Sequence, residues 1–251
     1  MVHIISVINH KGGVGKTTST ANVGAGLNIL KNKVLMIDTD PQANLTRHFG
    51  IPKTIENSIY GALMDEYPAP VLNIKKGLDL IPAHQDLVGW EKEVSDEPGR
   101  ELFLRDVIVP IVKNYDYVII DCPPSLNLLT LNALSTSHSV LITVEPSLFA
   151  IDGMGNIFNA VQKVKTRINS DLNRCRILIT RYYSAKLLHR QTEEVIRQNY
   201  SDMVFRTVIR TNVALEEAVM NGCDIFAYDN KSNGAIDYKN VCNEILKIKQ
   251  W

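Results

Sequence analysis

Short apolar runs alternate along the chain with longer stretches in which apolar residues recur every three or four positions. The runs predict strands at residues 3–9, 33–38, 78–83, 116–121, 139–145 and 175–181, and an extended segment at 203–209. The periodic stretches predict helices at residues 17–30, 54–64, 100–114, 150–168, 186–200, 212–222 and 235–251. This alternation predicts an α/β fold with a doubly wound, mostly parallel sheet and helices on both faces. The loops are short, so residues 1–251 are expected to form a single domain.

A glycine-rich loop separates the first predicted strand from the first predicted helix. Residues 11–18 read KGGVGKTT, and Gly15, Lys16 and Thr17 match the end of the phosphate-binding pattern G-x-x-x-x-G-K-[ST]. Consecutive N–H groups of such a loop and the helix N-terminus bind anions. The pattern assigns Lys16 to the β- and γ-phosphates and the Thr17 hydroxyl to Mg²⁺. The leading glycine of the pattern is absent.

Aspartates follow two of the predicted strands. Asp38 and Asp40 end the second strand, and Asp121 ends the fourth. In open parallel sheets the carboxyl ends of the strands line the ligand crevice. A carboxylate after an apolar strand is the usual magnesium partner of a phosphate loop. We therefore expect Asp121 to act on Mg²⁺ through water, and Asp40 to belong to the metal site and orient the attacking water. Each aspartate alone could equally cap a helix or stabilise a turn.

Composition limits the possible functions without selecting one. Hydrophobic residues make up 45% of the chain and charged residues 22%, which is typical of a globular protein. The 27 basic and 27 acidic residues give zero net charge, which argues against binding nucleic acid through overall charge. The four cysteines are scattered, so reduced thiols and no zinc site are expected. No apolar run approaches the ~20 residues of a membrane span, and no signal peptide precedes the first strand, which indicates a cytoplasmic protein.

Several motifs resemble the ParA/Soj branch of the ParA/MinD family, whose ATPases have a deviant Walker A loop. These motifs are KGGVGKTT, DTDPQAN, YVIIDCPPS, the following LLTLNAL helix and the SNGA turn, and the resemblance covers nearly the whole chain. It implies ATP and Mg²⁺ as cofactors and an ATP-bound homodimer in which two subunits sandwich two ATP molecules. Lys11 is the signature lysine, which contacts the phosphates bound by the partner, as an arginine finger does. The KGG segment shapes the loop differently, so His10 can replace the leading glycine.

The resemblance also implies a role for each site residue. The catalytic residues are Lys11, Lys16 and Asp40, and the metal site consists of Thr17, Asp40 and Asp121. The phosphate loop comprises Lys11, Gly12, Gly13, Val14, Gly15, Lys16, Thr17 and Thr18. Gly12 lies where the two subunits approach, so a side chain there should clash. The adenine residues are Arg181, Ile209, Thr211 and Asn212, in a loop where relatives often have Pro-Arg-Asn and this chain has Arg-Thr-Asn.

Charge is distributed unevenly along the chain. Residues 161–210 contain eleven Lys or Arg against four Asp or Glu, whereas residues 56–101 contain four against ten. A basic region can hold a phosphate backbone without reading sequence. The family resemblance implies non-specific DNA binding by the dimer, a nucleoid-associated protein and a ParB-like centromere-binding partner. The candidate DNA contacts are Lys186, Arg190, Arg197, Arg206 and Arg210.

Three alternatives remain open at this point. The basic residues could be an ordinary solvated surface. Residues 178–182 also resemble the MinD-like branch, whose ATPases associate with membranes. Such a protein needs an amphipathic anchor. Val241, Ile245 and Ile248 in the last predicted helix have the spacing of a core helix, so no membrane partner is expected. A reductase of the iron-protein type needs paired bridging cysteines, and Cys122 has no second cysteine in a suitable context.

Overall fold

The computed structural model describes residues 2–52, 54–147 and 150–248, and in these residues seven strands form one sheet. The strands are β1 His3–Ile8, β2 Val34–Asp38, β3 Leu72–Lys75, β4 Leu78–Ile81, β5 Tyr117–Asp121, β6 Ser139–Val144 and β7 Arg174–Ile179. The helices are α1 Lys16–Ile29, α2 Asn44–His48, α3 Ile59–Leu63, α4 Leu87–Glu93, α5 Phe103–Val112, α6 Leu128–Thr136, α7 Ala150–Arg167, α8 Leu187–Tyr200, α9 Val213–Met220, α10 Ile225–Tyr228 and α11 Asn233–Lys247.

The order of the strands places one crevice at the centre of the sheet. The order is β3-β4-β2-β5-β1-β6-β7, and every neighbouring pair is parallel except β3 and β4. The chain leaves β1 toward β2 on one side and leaves β5 toward β6 on the other. A ligand is expected outside the carboxyl ends of strands where the direction of winding reverses. The crevice therefore lies above β1, β5 and β2.

Both faces of the sheet are buried. Ile4 and Ile8 of β1 enter one hydrophobic core, and Ile5 and Val7 enter the other. Strands buried on both faces read as continuous apolar runs, which is why β1, β2, β5 and β6 were recognisable in the sequence. α5, α6 and α7 belong to the first core, and α1, α9, α10 and α11 belong to the second. The predicted doubly wound α/β fold is confirmed.

Two glycines let α1 approach its neighbours closely. A Cβ added at Gly24 would lie 2.7 Å from the sulfur of Met36, and one added at Gly26 would lie 2.6 Å from the sulfur of Cys242. Both distances are too short for a real contact, so alanine at either position would require α1 or the neighbouring side chain of Met36 or Cys242 to shift. The position of the phosphate loop, which leads directly into α1, depends on this close packing.

The structure differs from the predicted helix at residues 54–64. Residues 54–58 are not helical, and α3 begins only at Ile59, after Ser58 accepts a hydrogen bond from the Tyr60 N–H (3.3 Å). The segment predicted as extended, 203–209, follows β7 beyond a short turn that ends at Met203. Val204 forms an isolated bridge to Ile177, and the N–H groups of Phe205 and Ile209 donate to carbonyls of β7 (3.0 and 2.8 Å).

Some short elements were not predicted at all. These are β3, α2, α4 and α10, each four to seven residues long. The last helix is confirmed from Asn233 to Lys247, whereas its predicted end at residues 249–251 lies outside the described residues.

Candidate functional site

The loop between β1 and α1 is held open by side chains on both of its flanks. Asn9 accepts a hydrogen bond from the Lys11 N–H (3.0 Å) and donates its amide to the carbonyl of Thr143 on β6 (2.6 Å). The Thr180 hydroxyl donates to the Val14 carbonyl (2.8 Å). Gly15 has a φ of +79°, a left-handed conformation that a residue with a side chain adopts only under strain. These contacts orient the loop over the carboxyl end of β1.

His10 fills the place of the missing leading glycine. Its ring packs against Gly153 on α7 so closely that a Cβ added to Gly153 would overlap the ring. The side chain that replaces the glycine is therefore directed away from the loop interior, toward α7. This packing was not predictable from the loop sequence alone, because Gly153 follows it by more than a hundred residues.

Lys16, Thr17 and Asp121 meet at the first turn of α1. The Lys16 ammonium donates to the carbonyl of Lys11 (3.1 Å), so it folds back across the loop. The Thr17 hydroxyl donates to the Asp121 carboxylate (2.7 Å), and the Thr20 hydroxyl also donates to it (3.2 Å). Burial lowers the pKa of Lys16, and the nearby carboxylates of Asp121 and Asp40 oppose this effect. The loop thus brings together a buried ammonium, a hydroxyl and a buried carboxylate.

The other two aspartates lie on the neighbouring strand end but in different environments. Asp38 is directly opposite Asp121 in the register of β2 and β5, and it accepts hydrogen bonds from the N–H and the hydroxyl of Thr46 (2.8 and 2.7 Å). Asp40 lies on the wall of the cavity above the loop, where it accepts the Gln42 N–H (2.9 Å). Asp38 therefore stabilises the start of α2, and Asp40 faces the space in which a ligand would bind.

Burial raises the pKa of both Asp38 and Asp121, and the proximity of the two carboxyls raises it further at Asp121. Hydrogen bonds from Thr46 and Thr17 act in the opposite direction. Burial thus favours the protonated forms of these two carboxyls. A cation bound beside them would stabilise the ionised forms and lower both pKa values.

The donor set fits Mg²⁺. Within the residues that the structure describes, no three His, Cys, Asp or Glu side chains group closely enough to hold a metal by themselves. Mg²⁺ prefers oxygen ligands and usually keeps several waters, using one or two protein groups together with substrate phosphates. Thr17, with Asp121 hydrogen-bonded behind it, and Asp40 across the cavity supply that combination.

A cavity of about 730 Å³ extends from the loop and has the size of a small-molecule site. All four predicted adenine residues, Arg181, Ile209, Thr211 and Asn212, line it. Arg181 has a φ of +50°, and its Nε lies 3.6 Å from a carboxylate oxygen of Glu145. The structure therefore brings the two separately predicted parts of a nucleotide site, loop and adenine residues, into one cavity. Further lining residues that sequence reasoning missed are Gln42, Asn44, Arg47, His48, Thr180, Leu215, Glu216, Val219, Met220 and Tyr238.

Arg210 is engaged within the protein, which argues against its predicted role as a DNA contact. Its guanidinium donates to both carboxylate oxygens of Asp237 (2.7 and 2.9 Å), and its backbone N–H donates to the same group (3.0 Å). Arg210 also lines the cavity. The sequence does contain a sign of this pair. Asp237 lies between the buried residues Ala235 and Tyr238 of α11, and a buried carboxylate requires a partner.

The remaining DNA candidates lie near the β7 edge of the sheet. Lys186 and Arg190 are exposed at the start of α8, and Arg206 is exposed after it. Arg197 instead holds the chain locally, because it pairs with Glu193 (2.8 Å) and donates to the carbonyls of Phe205 and Arg206. Arg190 donates to the carbonyl of Ser184 (2.7 Å) and Lys186 lies over the ring of Tyr183, but neither is paired with a carboxylate as Arg197 and Arg210 are.

Lys11 and Gly12 are exposed at the rim of the cavity. A Cβ added at Gly12 would meet no atom within 4 Å among the described residues. The side chain of Lys11 is thus available to a second molecule. No contact within the described part of the subunit requires position 12 to be a glycine.

Comparison with known proteins agrees with this arrangement. A family model described as an AAA domain matches residues 2–174. The chain is 41% identical over 251 residues to the sporulation initiation inhibitor protein Soj of Bacillus subtilis strain 168, covering 98% of each chain. It is 38% identical over 248 residues to the chromosome partitioning protein ParA of Myxococcus xanthus, covering 97% of this chain and 88% of the relative.

A solved structure has the same fold. The cobyrinic acid a,c-diamide synthase of Mycobacterium smegmatis, solved with bound ADP and magnesium, superposes with a TM-score of 0.86 at 31% identity. The match covers 98% of this chain and 95% of the synthase chain.

Proposed function

Because the chain belongs to the ParA/Soj branch of the ParA/MinD family of P-loop ATPases, we propose that it is an ATP-dependent switch for DNA partitioning. ATP binding makes it a homodimer, the dimer binds DNA without sequence preference on the nucleoid, and a ParB-like partner stimulates hydrolysis. The observation that carries the proposal is the Lys16–Thr17–Asp121 cluster below a cavity that also contains Asp40 and the adenine residues.

The residues of one subunit bind and activate the nucleotide. N–H groups of the loop and the start of α1 hold the phosphates, and Lys16 exchanges its bond to the Lys11 carbonyl for the β- and γ-phosphates. Thr17, with Asp121 hydrogen-bonded behind it, would hold Mg²⁺, which would neutralise charge on those phosphates. Asp40 faces the same space and orients the attacking water. Arg181 and the loop from Ile209 to Asn212 hold the adenine.

The second subunit completes the site. Lys11 projects from the rim and contacts the phosphates in the partner's cavity, where it stabilises the charge that develops on the transferred phosphoryl group. Gly12 allows the phosphate loops of the two subunits to approach each other. This role would explain why position 12 is a glycine although its own subunit leaves room for a side chain. Hydrolysis removes the γ-phosphate and with it the contact that holds the subunits together.

DNA binding follows from the charge at the β7 edge. Lys186, Arg190 and Arg206 present positive charge there, whereas the acidic segment 56–101 contributes α3, β3, β4 and α4 at the opposite edge. A monomer gains only a few phosphate contacts. Dimerisation makes the second contact intramolecular, so affinity for DNA rises with ATP.

The burial of α11 supports this function over a membrane-associated one. Val241 and Ile245 are buried in the core beside α1, so this amphipathic helix uses its apolar face within the protein. None of the helices in the described part of the chain combines the length and apolar character that crossing a bilayer requires.

Size-exclusion chromatography with and without ATP tests the switch. Lys16→Ala should not bind ATP, because the charge at the β- and γ-phosphates is lost. Asp40→Ala should bind ATP and accumulate as a dimer, because it hydrolyses poorly. An Asp40→Ala protein that stays monomeric with saturating ATP would show that the proposed role of Asp40 is wrong.

DNA retention by the Asp40→Ala dimer across a salt series tests the proposed DNA binding. Affinity should fall steeply with salt, because each neutralised phosphate releases counterions. Lys186→Ala/Arg190→Ala should weaken DNA retention and leave dimerisation unchanged. Lys33→Ala/Lys113→Ala, which removes two exposed lysines at the amino ends of the strands, is the matched control. A dimer that ignores DNA at low salt and sediments with liposomes would favour the MinD-like function.

A further inference from the structure

Arg47 differs from the other cationic side chains that line the cavity. Lys16 donates to the Lys11 carbonyl, Arg181 pairs with Glu145, and Arg210 pairs with Asp237. Within the described residues, the guanidinium of Arg47 makes no hydrogen bond or ion pair. It is exposed and lies on the cavity wall formed by α2. Its charge is therefore available to whatever fills the cavity.

The position of α2 indicates which part of a nucleotide Arg47 would meet. The chain turns just beyond α2 at Gly50 and just beyond α9 at Gly222, and a Cβ added at Gly222 would lie 3.3 Å from the Gly50 Cα. α2 and α9 therefore form adjoining walls of the cavity. The loop from Ile209 to Asn212, which carries predicted adenine contacts, leads directly into α9.

From this geometry we propose that Arg47 contacts the nucleoside part of the bound nucleotide from the α2 wall and contributes to affinity and base selection. The inference rests on the proposed ATP-binding function. A guanidinium is planar, stacks on aromatic faces and donates to oxygen acceptors such as ribose hydroxyls, and it keeps its charge at any physiological pH. Since Arg47 follows Asp40 by only seven positions, the same contact also holds the segment that carries Asp40 against the nucleotide.

Binding of ATP and of inorganic tripolyphosphate, both with Mg²⁺, separates this contact from the phosphate contacts. Arg47→Ala should weaken ATP binding about three- to tenfold, the range expected for loss of a stacked or hydrogen-bonded guanidinium, and leave tripolyphosphate binding unchanged. Arg47→Lys should recover little of the loss, because an ammonium cannot stack as a plane. Arg105→Ala, which removes an exposed arginine on α5, is the control and should bind both ligands as the wild type does.

Each other outcome is decisive. Equal weakening of ATP and tripolyphosphate would make Arg47 a phosphate contact and overturn the assignment to the nucleoside. Unchanged ATP binding in Arg47→Ala, with a wild type that binds ATP, would overturn the inference and leave the proposed function standing. A wild type that does not bind ATP would contradict the proposed function itself. Thermal melts without nucleotide should be the same for all the variants, which excludes misfolding as the cause.

Discussion

The pair formed by Arg210 and Asp237 fixes the loop of residues 209–212 to α11, and its loss should be measurable as a decrease in stability. Asp237→Ala removes the acceptor of two guanidinium bonds and one backbone N–H. The carboxylate is 6% exposed and the guanidinium 44%, so the pair lies between a buried ion pair and a surface one. Breaking buried pairs costs about 3–5 kcal/mol and exposed pairs contribute about 0–1 kcal/mol, so we expect a loss of about 2 kcal/mol.

Thermal unfolding without nucleotide is the assay. For a domain of this size, about 2 kcal/mol corresponds to a decrease in Tm of about 4–8 °C. Arg210→Ala should cost a similar amount because it leaves Asp237 buried and unpaired, and the double variant should show a coupling energy of about 1 kcal/mol. Glu193→Ala, which breaks the pair with Arg197 within α8, is the control and should cost about 0.5 kcal/mol.

The same variants separate a structural role for Arg210 from a DNA-binding role. Arg210→Ala should lower Tm and weaken ATP binding, because the loop of residues 209–212, which is proposed to hold the adenine, loses its contact with α11. DNA retention by dimers assembled at saturating ATP should remain as in the wild type. A coupling energy near zero, combined with a specific loss of DNA retention, would refute this reasoning and return Arg210 to the DNA surface.

Three further predictions follow from other parts of the site. Gly12→Val should keep the Tm and the ATP affinity of the monomer, since a Cβ at position 12 meets no atom within 4 Å in the described part of its own subunit. Sedimentation should show that this variant no longer dimerises with ATP, and loss of ATP binding by the monomer would contradict the prediction. Thr17→Ala should abolish the dependence of ATP affinity on Mg²⁺, measured by titrating Mg²⁺ at fixed ATP, whereas Thr166→Ala on α7 should not. Burial lowers the pKa of His48 to about 4, so the unfolded chain takes up the proton of this side chain first. The stability that His48 contributes above about pH 6.5 should therefore decrease by about 2 kcal/mol at pH 5, which urea unfolding measures as the difference between the wild type and His48→Leu at the two pH values.

The parts of the fold that were predictable are those whose signal is local. β1 and β5 are buried on both faces and therefore apolar throughout, and the loop of residues 11–18 carries its own glycines. β3 was not predictable, because its half-exposed residues become a strand only by pairing with β4. The N–H groups of Arg206 and Thr207 donate to the carboxylate of Glu244, far along the chain, and this contact could not be read from the local sequence either.

In the candidate site, too, the predictable features are local in sequence and the unpredicted ones depend on packing. Residue types and spacing predicted that Lys16, Thr17 and Asp121 share one site; the structure joins Thr17 to Asp121 by a hydrogen bond and folds Lys16 back to the carbonyl of Lys11 in the same loop. Counting charges along residues 161–210 could not show where each guanidinium points. Arg210 carries the charge that the count recorded, but Asp237 takes up that charge, and this contact depends on how α11 packs.

The central claim is that Lys11 acts on the nucleotide of the partner subunit, and mixing two inactive variants tests it most directly. Lys11→Ala keeps Asp40 and binds ATP, and Asp40→Ala keeps Lys11 and binds ATP. In a mixed dimer, the site of the Lys11→Ala subunit receives Lys11 from its partner and becomes complete. Each variant alone should hydrolyse ATP poorly, and the mixture, combined before ATP is added, should reach up to about half of the wild-type rate, because each mixed dimer has one complete site. A mixture that stays inactive although cross-linking shows mixed dimers, or a Lys11→Ala protein that dimerises and hydrolyses ATP by itself, would contradict it.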